Sequence, residues 1–408
     1  MKTVVLRAAA VLVGASCLAA TATPLDRSRP ASTQTALRAE LQQGQECPGI
    51  APWEGTPWWV RRSSLKDLWR EATGKNVKVA VIDSGVQPVP QLKGNLLPGK
   101  DFLDGMPNAQ FDDAGHGTAV AGVIAAKPMN GTGVVGIAPG AQILPIRQND
   151  GKRGDSENMA AAINWAVAQG ADIINISQAA FAKSPDDPPP VHLYTAISNA
   201  LRKNVVIIAA AGNDGTDRNR KPWPAADERI ISVGASNDGN SPADFSGYGP
   251  WMDLLAPGVN MVTTHPRGGH CMYNGTSFAA PYVTGVVALI RERWPNEKPA
   301  DIARRLIATA DRVGNGWSES AGWGVVNARR AVLTPPQQLP RFDLSANVNP
   351  EYVPIWPIER LSAAEKRERV GASLTVVIGL GLVTALSFAA VVAKDAAARR
   401  RRMNATAL

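Results

Sequence analysis

Short apolar runs rich in β-branched residues recur along the middle of this chain, and they limit its fold more than any other feature. NVKVAVID (76–83), AQILPIR (141–147), ADIINIS (171–177), NVVIIAAA (204–211) and RIISVGA (229–235) read as strands with almost no polar alternation. A strand that is apolar on both sides has to be covered on both sides. Helical patterns lie among them: HGTAVAGVIAA (116–126), SENMAAAINWAVAQG (156–170) and HLYTAISNALRKN (192–204). Two more follow, SFAAPYVTGVVALIRERW (277–294) and ADIARRLIATA (300–310). Strands alternating with helices predict an α/β fold, a mostly parallel sheet flanked by helices on both faces. No internal repeat is visible.

The ends of the chain have a different character. Residues 1–22 carry a basic start, a short apolar run and Ala20-Thr21-Ala22, the pattern of a secretory signal peptide. Residues 371–393 are apolar and free of charge. As a helix they would extend roughly 35 Å, enough to cross a bilayer once. The basic tail 394–408 contains RRRR at 399–402, and positive charge of this kind stays in the cytoplasm. The expected location is therefore the cell membrane, single-pass, with the middle of the chain extracytoplasmic. Lys2, Arg7 and the tail carry most of the net charge of +8. The stretch between is near neutral, which argues against a nucleic-acid partner.

Residues 23–62 are polar, then rich in Trp and Pro, and read as an N-terminal extension. Trp53, Trp58 and Trp59 are poor residues to leave in solvent, so the extension is expected to lie against the main domain, 63–332. Residues 333–370 are proline-rich and aperiodic, and predict a semi-rigid linker. After removal of a signal peptide two cysteines remain, Cys47 and Cys271. An oxidising compartment favours one disulfide between them, with two free thiols as the alternative.

Ser277 stands at the start of the predicted helix in NGTSFAAPYVTG (274–285), where Ser and Thr commonly cap a helix. A serine that attacks a carbonyl needs a base, usually His, and a carboxylate to hold that base. Four histidines are present. His192 opens a surface helix, and His265 and His270 lie in a loop containing Gly and Pro, so all three read as surface residues. His116 sits where a Gly-rich loop meets a helix, and Asp83 ends the first strand. Sites in open parallel sheets form outside the carboxyl ends of the strands.

VAVIDSGV, GHGTAVAG and GTSFAAPYVTG occur in that order. Together they resemble the three signature segments of the subtilisin-like serine proteases, over about residues 63–332. The resemblance implies a subtilisin-like fold, serine endopeptidase activity and an Asp83, His116, Ser277 triad. It also implies Asn213, in AAAGNDG, as a donor to the oxyanion, with Gly212 beside the substrate. Where many members carry Asn-x-Ser-Leu-Gly along the substrate channel, this chain has Asn175-Ile176-Ser177-Gln178-Ala179. Ser177, Gln178 and Ala179 are thus expected to line an altered channel. No cofactor is implied. Asn130 matches a calcium loop of some members, but the accompanying carboxylates are not evident, and no metal is expected. Asp112, Asp113, Asp186 and Asp187 read as solvated or hydrogen-bonded loop residues.

The whole layout resembles the mycosins, membrane-anchored proteases associated with type VII secretion systems. That resemblance implies a secretion complex as partner and a few secreted substrates. Two alternatives are a general surface protease of the same fold and a scaffold whose catalysis is secondary.

Overall fold

The computed structural model describes residues 51–339, apart from 152, 183–186 and 216–220. The predicted signal peptide, the extension up to residue 50 with Cys47, Asp186, most of the linker, the apolar stretch 371–393 and the basic tail lie outside the described residues. Among the described residues no helix is long and apolar enough to cross a membrane.

In chain order the strands are β1 (Lys78–Asp83), β2 (Lys100–Asp101), β3 (Gln142–Arg147), β4 (Ile173–Ile176), β5 (Ala180–Phe181), β6 (Val206–Ala210), β7 (Pro222–Trp223), β8 (Ile231–Ser236), β9 (Leu254–Pro257), β10 (Met261–Thr264) and β11 (His270–Tyr273). The helices are α1 (Trp58–Arg62), α2 (Leu65–Leu68), α3 (His116–Ala125), α4 (Ser156–Ala168), α5 (Val191–Arg202), α6 (Thr276–Arg293), α7 (Pro299–Thr309) and α8 (Ala328–Leu333). Seven strands form one sheet in the order β2-β3-β1-β4-β6-β8-β9, and every neighbouring pair is parallel.

The apolar runs explain this sheet residue by residue. Val79 and Val81 pack on one face with α3 and α6, while Ala80 and Ile82 pack on the other with α4 and α5. Successive side chains of a strand point to opposite faces, so a run without polar alternation serves two cores. From β1 the chain proceeds outward to β2 and β3, then crosses to β4 and runs outward on the other side. The strand order therefore reverses between β1 and β4. Ile82 is in register with Ile176, so Asp83 and Ser177 leave the sheet side by side at this switch point.

Helix α6 runs through the core. Thr284, on its inner face, holds its hydroxyl 2.9 Å from Oδ1 of Asn175 in β4 and 3.0 Å from Ala280 O of its own helix, and the Thr284 and Asn175 side chains are fully buried. Helix α3 lies close against the antiparallel pair β10–β11. A Cβ built on Gly122 would come within 2.1 Å of Thr264 Oγ1, so only glycine permits this approach. Thr263 and Thr264 donate their hydroxyls to the carbonyls of Ala119 and Thr118 at 2.9 and 2.8 Å.

The described part of the Trp-rich segment packs onto this domain. Trp59 is fully buried beside Tyr282, edge to face at 6.3 Å, and its Nε1–H donates to Val262 O. Trp58 donates to Val259 O at 2.9 Å, and Trp53 N–H donates to Nδ1 of His270 at 2.9 Å.

The sequence reading does not anticipate β2, β5, β7, β9, the β10–β11 hairpin, or the short helices α1, α2 and α8. Two-residue strands have no periodicity to read. Pro266, Gly268 and Gly269 suggest a loop, but they form only its turn, and Thr264 pairs with His270 across it. His265 and His270 are accordingly buried, not surface residues. His270 uses both ring nitrogens, accepting from Trp53 and contacting Gln91 Oε1 at 2.6 Å, and burial lowers its pKa to about 4. His192 is exposed, as expected.

Candidate active site

Asp83 ends β1 with its side chain on the α3 and α6 side of the sheet, almost wholly buried. His116 is the first residue of α3, directly above it. Nδ1 of His116 lies 2.7 Å from Oδ1 of Asp83. A neutral imidazole can make this contact only by donating from Nδ1, which leaves Nε2 as the free acceptor. The imidazole and the Phe278 ring meet edge to face with centroids 5.5 Å apart, and Phe278 stacks on Tyr273 at 4.8 Å. Burial disfavours charge on His116, but the charge and hydrogen bond of Asp83, with Asp112 beyond it, outweigh burial and raise its pKa above the usual value. Gly117 gives the pair room, since a Cβ there would lie 2.0 Å from Gly85 O.

Ser277 is the second residue of α6. The position preceding the helix is Gly275, and no side chain caps it. The capping role suggested for Thr276 and Ser277 is therefore not what these residues do. Ser277 donates its hydroxyl to Ser177 O at 3.0 Å. Thr276 donates both its N–H and its hydroxyl to Oδ1 of Asn213, at 2.9 and 3.0 Å. A backbone N–H can only donate, so the amide orientation of Asn213 is settled: Oδ1 faces Thr276 and Nδ2 is left for another acceptor. Gly212, before it, has a φ of +89°, and a Cβ there would lie 3.0 Å from the Phe181 ring.

The residues expected along the channel follow β4. Ser177 accepts from Asn175 Nδ2 at 2.8 Å, which continues the Thr284 to Asn175 contact as far as the residue that receives the Ser277 hydroxyl. Gln178 is buried, its Oε1 accepting from Asn149 Nδ2 at 2.5 Å and its Nε2 3.5 Å from Ile82 O. The amide in place of the usual leucine thus ties the end of β4 to the segment that follows β3. Ala179 is buried beside it. Asn130 is exposed at a turn. Among the described residues no group of three His, Cys, Asp or Glu is arranged to hold a metal ion. Cys271 is disulfide-bonded, and its partner lies outside the described residues.

Three contributors escape the sequence reading. Thr276 orients Asn213, Ser84 bonds Asp83, and Asp112 bonds Ser84. Asp112 is almost fully buried and its two oxygens accept four hydrogen bonds, so it is a hydrogen-bonded and not a solvated loop residue. Its place four residues before His116, beside a helix start, is the one signal in the sequence.

A parallel sheet whose switch point gathers a part-buried Asp–His pair, a serine at a helix N-terminus and an oriented asparagine is the framework of a subtilisin-like hydrolase. Residues 74–324 match the subtilase family, to which the chain belongs, and it is a serine endopeptidase of that family. The likeness extends beyond the catalytic part. Over 434 aligned residues the chain is 33% identical to Mycosin-1 of Mycobacterium tuberculosis, covering 92% of this chain and 96% of that protein. It is a subtilisin-like protease of the mycosin type. The crystal structure of MycP1 from Mycobacterium smegmatis matches with a TM-score of 0.67 and 28% identity, over 78% of this chain and 95% of that one. A chain in the structure of an intact ESX-5 inner membrane complex matches with a TM-score of 0.65 and 28% identity, over 85% of this chain and 95% of that one.

Proposed function

We propose that the protein is a membrane-anchored extracytoplasmic endopeptidase whose triad is Asp83, His116 and Ser277, and that it cleaves specific secreted proteins while associated with a type VII secretion complex in the cell membrane. The observation that carries the catalytic part is the 2.7 Å contact of Asp83 with His116 beside the N-terminus of α6. In the free enzyme the Ser277 hydroxyl rests on Ser177 O. As substrate enters, the hydroxyl turns to Nε2 of His116, which takes its proton while Oγ attacks the scissile carbonyl. Asn213 Nδ2 and the Ser277 N–H receive the oxyanion, and the N-terminus of α6 favours the same charge. His116, now charged and held by Asp83, gives its proton to the leaving amine. Water then repeats the sequence on the acyl-enzyme.

Association with a secretion complex is supported by the full-length likeness to Mycosin-1 and by the matching chain of the ESX-5 complex. The apolar stretch 371–393 would supply the anchor and the residues before 23 the export signal. A serine-directed fluorophosphonate is expected to label wild-type protein at Ser277 alone, and Ser277→Ala to be folded and inactive on peptides. Labelling elsewhere would overturn the triad. Co-purification from detergent-solubilised membranes tests the partner, and a secretion-competent Ser277→Ala strain would favour the scaffold reading.

A further inference from the structure

The Ser84 hydroxyl lies between two buried carboxylates, Asp83 and Asp112, next to His116. Ser84 Oγ lies 2.7 Å from Asp112 Oδ1 and 3.2 Å from Asp83 Oδ1, and it accepts from Gly117 N–H at 3.0 Å. A serine hydroxyl has one proton to give. The shorter distance assigns it to Asp112. Asp83 Oδ1 is left with the Ser84 N–H and His116 Nδ1, both at 2.7 Å, and its buried Oδ2 has no partner among the described residues.

We propose that Asp112 is a positioning residue of the catalytic set: by drawing the Ser84 proton away from Asp83, it leaves the Asp83 charge directed at His116. This rests on the triad reading above. Asp112 also grips the start of α3. Its Oδ1 accepts from Gly115 N–H at 2.8 Å, and its Oδ2 from the N–H and hydroxyl of Thr118 at 2.7 and 2.5 Å. These bonds supply the cap that Gly115 lacks, at the helix whose first residue is His116. One carboxylate therefore sets both where the base stands and how much negative charge it faces.

The groups around Asp112 are few. Asp83 on β1, His116 on α3 and Tyr273 on β11 interact with its charge. Arg147 of β3 stacks on the neighbouring Phe111 at 5.3 Å but is committed to Asp101 and Asp104. Burial pushes the Asp112 carboxyl up to about 6, against the hydrogen bonds of Thr118 and Ser84, with the charge of Asp83 adding to the rise. Asp112 thus changes charge near the pH at which an imidazole does.

The sign follows. A negative Asp112 favours the imidazolium of His116, so removing that charge lowers the His116 pKa. The test compares wild type, Asp112→Asn and Ser84→Ala as full chains. The readouts are kcat/KM against pH for one peptide substrate, the histidine titration by NMR, and thermal unfolding. Asp112→Asn is expected to move the acid limb and the His116 titration to lower pH by on the order of one unit. Ser84→Ala removes the proton that Asp83 and Asp112 compete for, so it should keep the limb near the wild-type position, and Asp112→Asn added to it should move the limb less than Asp112→Asn does alone. A purely structural cap would lower activity and melting temperature equally at every pH. An acid limb and titration that stay where wild type has them, with Ser277→Ala still inactive, overturn the role of Asp112 and leave the triad standing. Undiminished hydrolysis by Ser277→Ala removes the triad itself. Should Asp112→Asn not fold, Asp112→Glu, which keeps the charge, must hold the limb near its wild-type position even where it lowers the melting temperature, and a displaced limb there would overturn the role.

Discussion

Thr284 and Asn175 join α6 to β4 through one hydrogen bond of 2.9 Å between fully buried side chains. Asn175 passes the constraint to Ser177 Oγ, and Ser177 O receives the Ser277 hydroxyl. The height of Ser277 above the sheet is therefore set seven positions further along its own helix. Thr284→Val keeps the shape but leaves Asn175 Oδ1 unpaired, at a cost of about 1–3 kcal/mol. Urea unfolding should show that loss together with a lowered kcat. Full stability and full kcat in the variant would show that the bond is dispensable.

Asn213 is oriented by Thr276, so its Nδ2 is available to a developing oxyanion. Asn213→Ala is expected to reduce kcat by on the order of 10²–10³, the scale established for such a donor in subtilisin, with little change in KM. Steady-state kinetics on one peptide distinguishes this from a binding role, which would raise KM instead.

The raised pKa of His116 has a defined consequence for pH. The base must be neutral to accept the Ser277 proton, so kcat/KM should fall as pH drops through a value above the ordinary imidazole pKa of about 6.5. The same shift contributes stability below about pH 6.5 that is lost as pH rises through the folded value. Asp83→Asn frees the wrong tautomer and should lower kcat by about 10⁴ near neutrality. A rate profile flat from acid to alkaline pH would exclude His116 as the base.

Cys271, in β11, is disulfide-bonded six residues before Ser277. The expected partner is Cys47, which would hold the extension beside the site. Non-reducing peptide mapping should yield a linked pair of peptides containing Cys47 and Cys271. The closed loop is long, so chain entropy assigns the bond up to about 5 kcal/mol. Alkylation of both cysteines without reductant would refute the pairing.

Trp59 is buried against Tyr282, whose hydroxyl contacts Ser63 Oγ at 2.8 Å. Trp59→Ala empties a site in the main core and should cost about 3–5 kcal/mol. Chemical denaturation measures it. An unchanged unfolding midpoint would mean that this segment is an ornament and not part of the domain.

The sheet was legible in the sequence because a parallel strand buried on both faces leaves a continuous apolar run, and β1, β3, β4, β6 and β8 all do. The candidate triad was legible for a different reason: its chemistry demands particular residue types, and Asp83, His116 and Ser277 stand in segments short enough to recognise. His265 and His270 show the limit. The Gly and Pro beside them signal a turn, but a turn says nothing of whether the strands it joins lie under a neighbouring segment, and these two do. Asp112 and Thr276 show the same limit at the site. Each acts through a partner distant in sequence, Ser84 for one and Asn213 for the other. Such contacts arise only when β1, β6 and the N-termini of α3 and α6 converge at the switch point of the sheet. Local pattern determines which elements form and which groups can react. The direction of a buried hydrogen bond depends on what else is packed within reach of it, and that was decided by the tertiary structure alone.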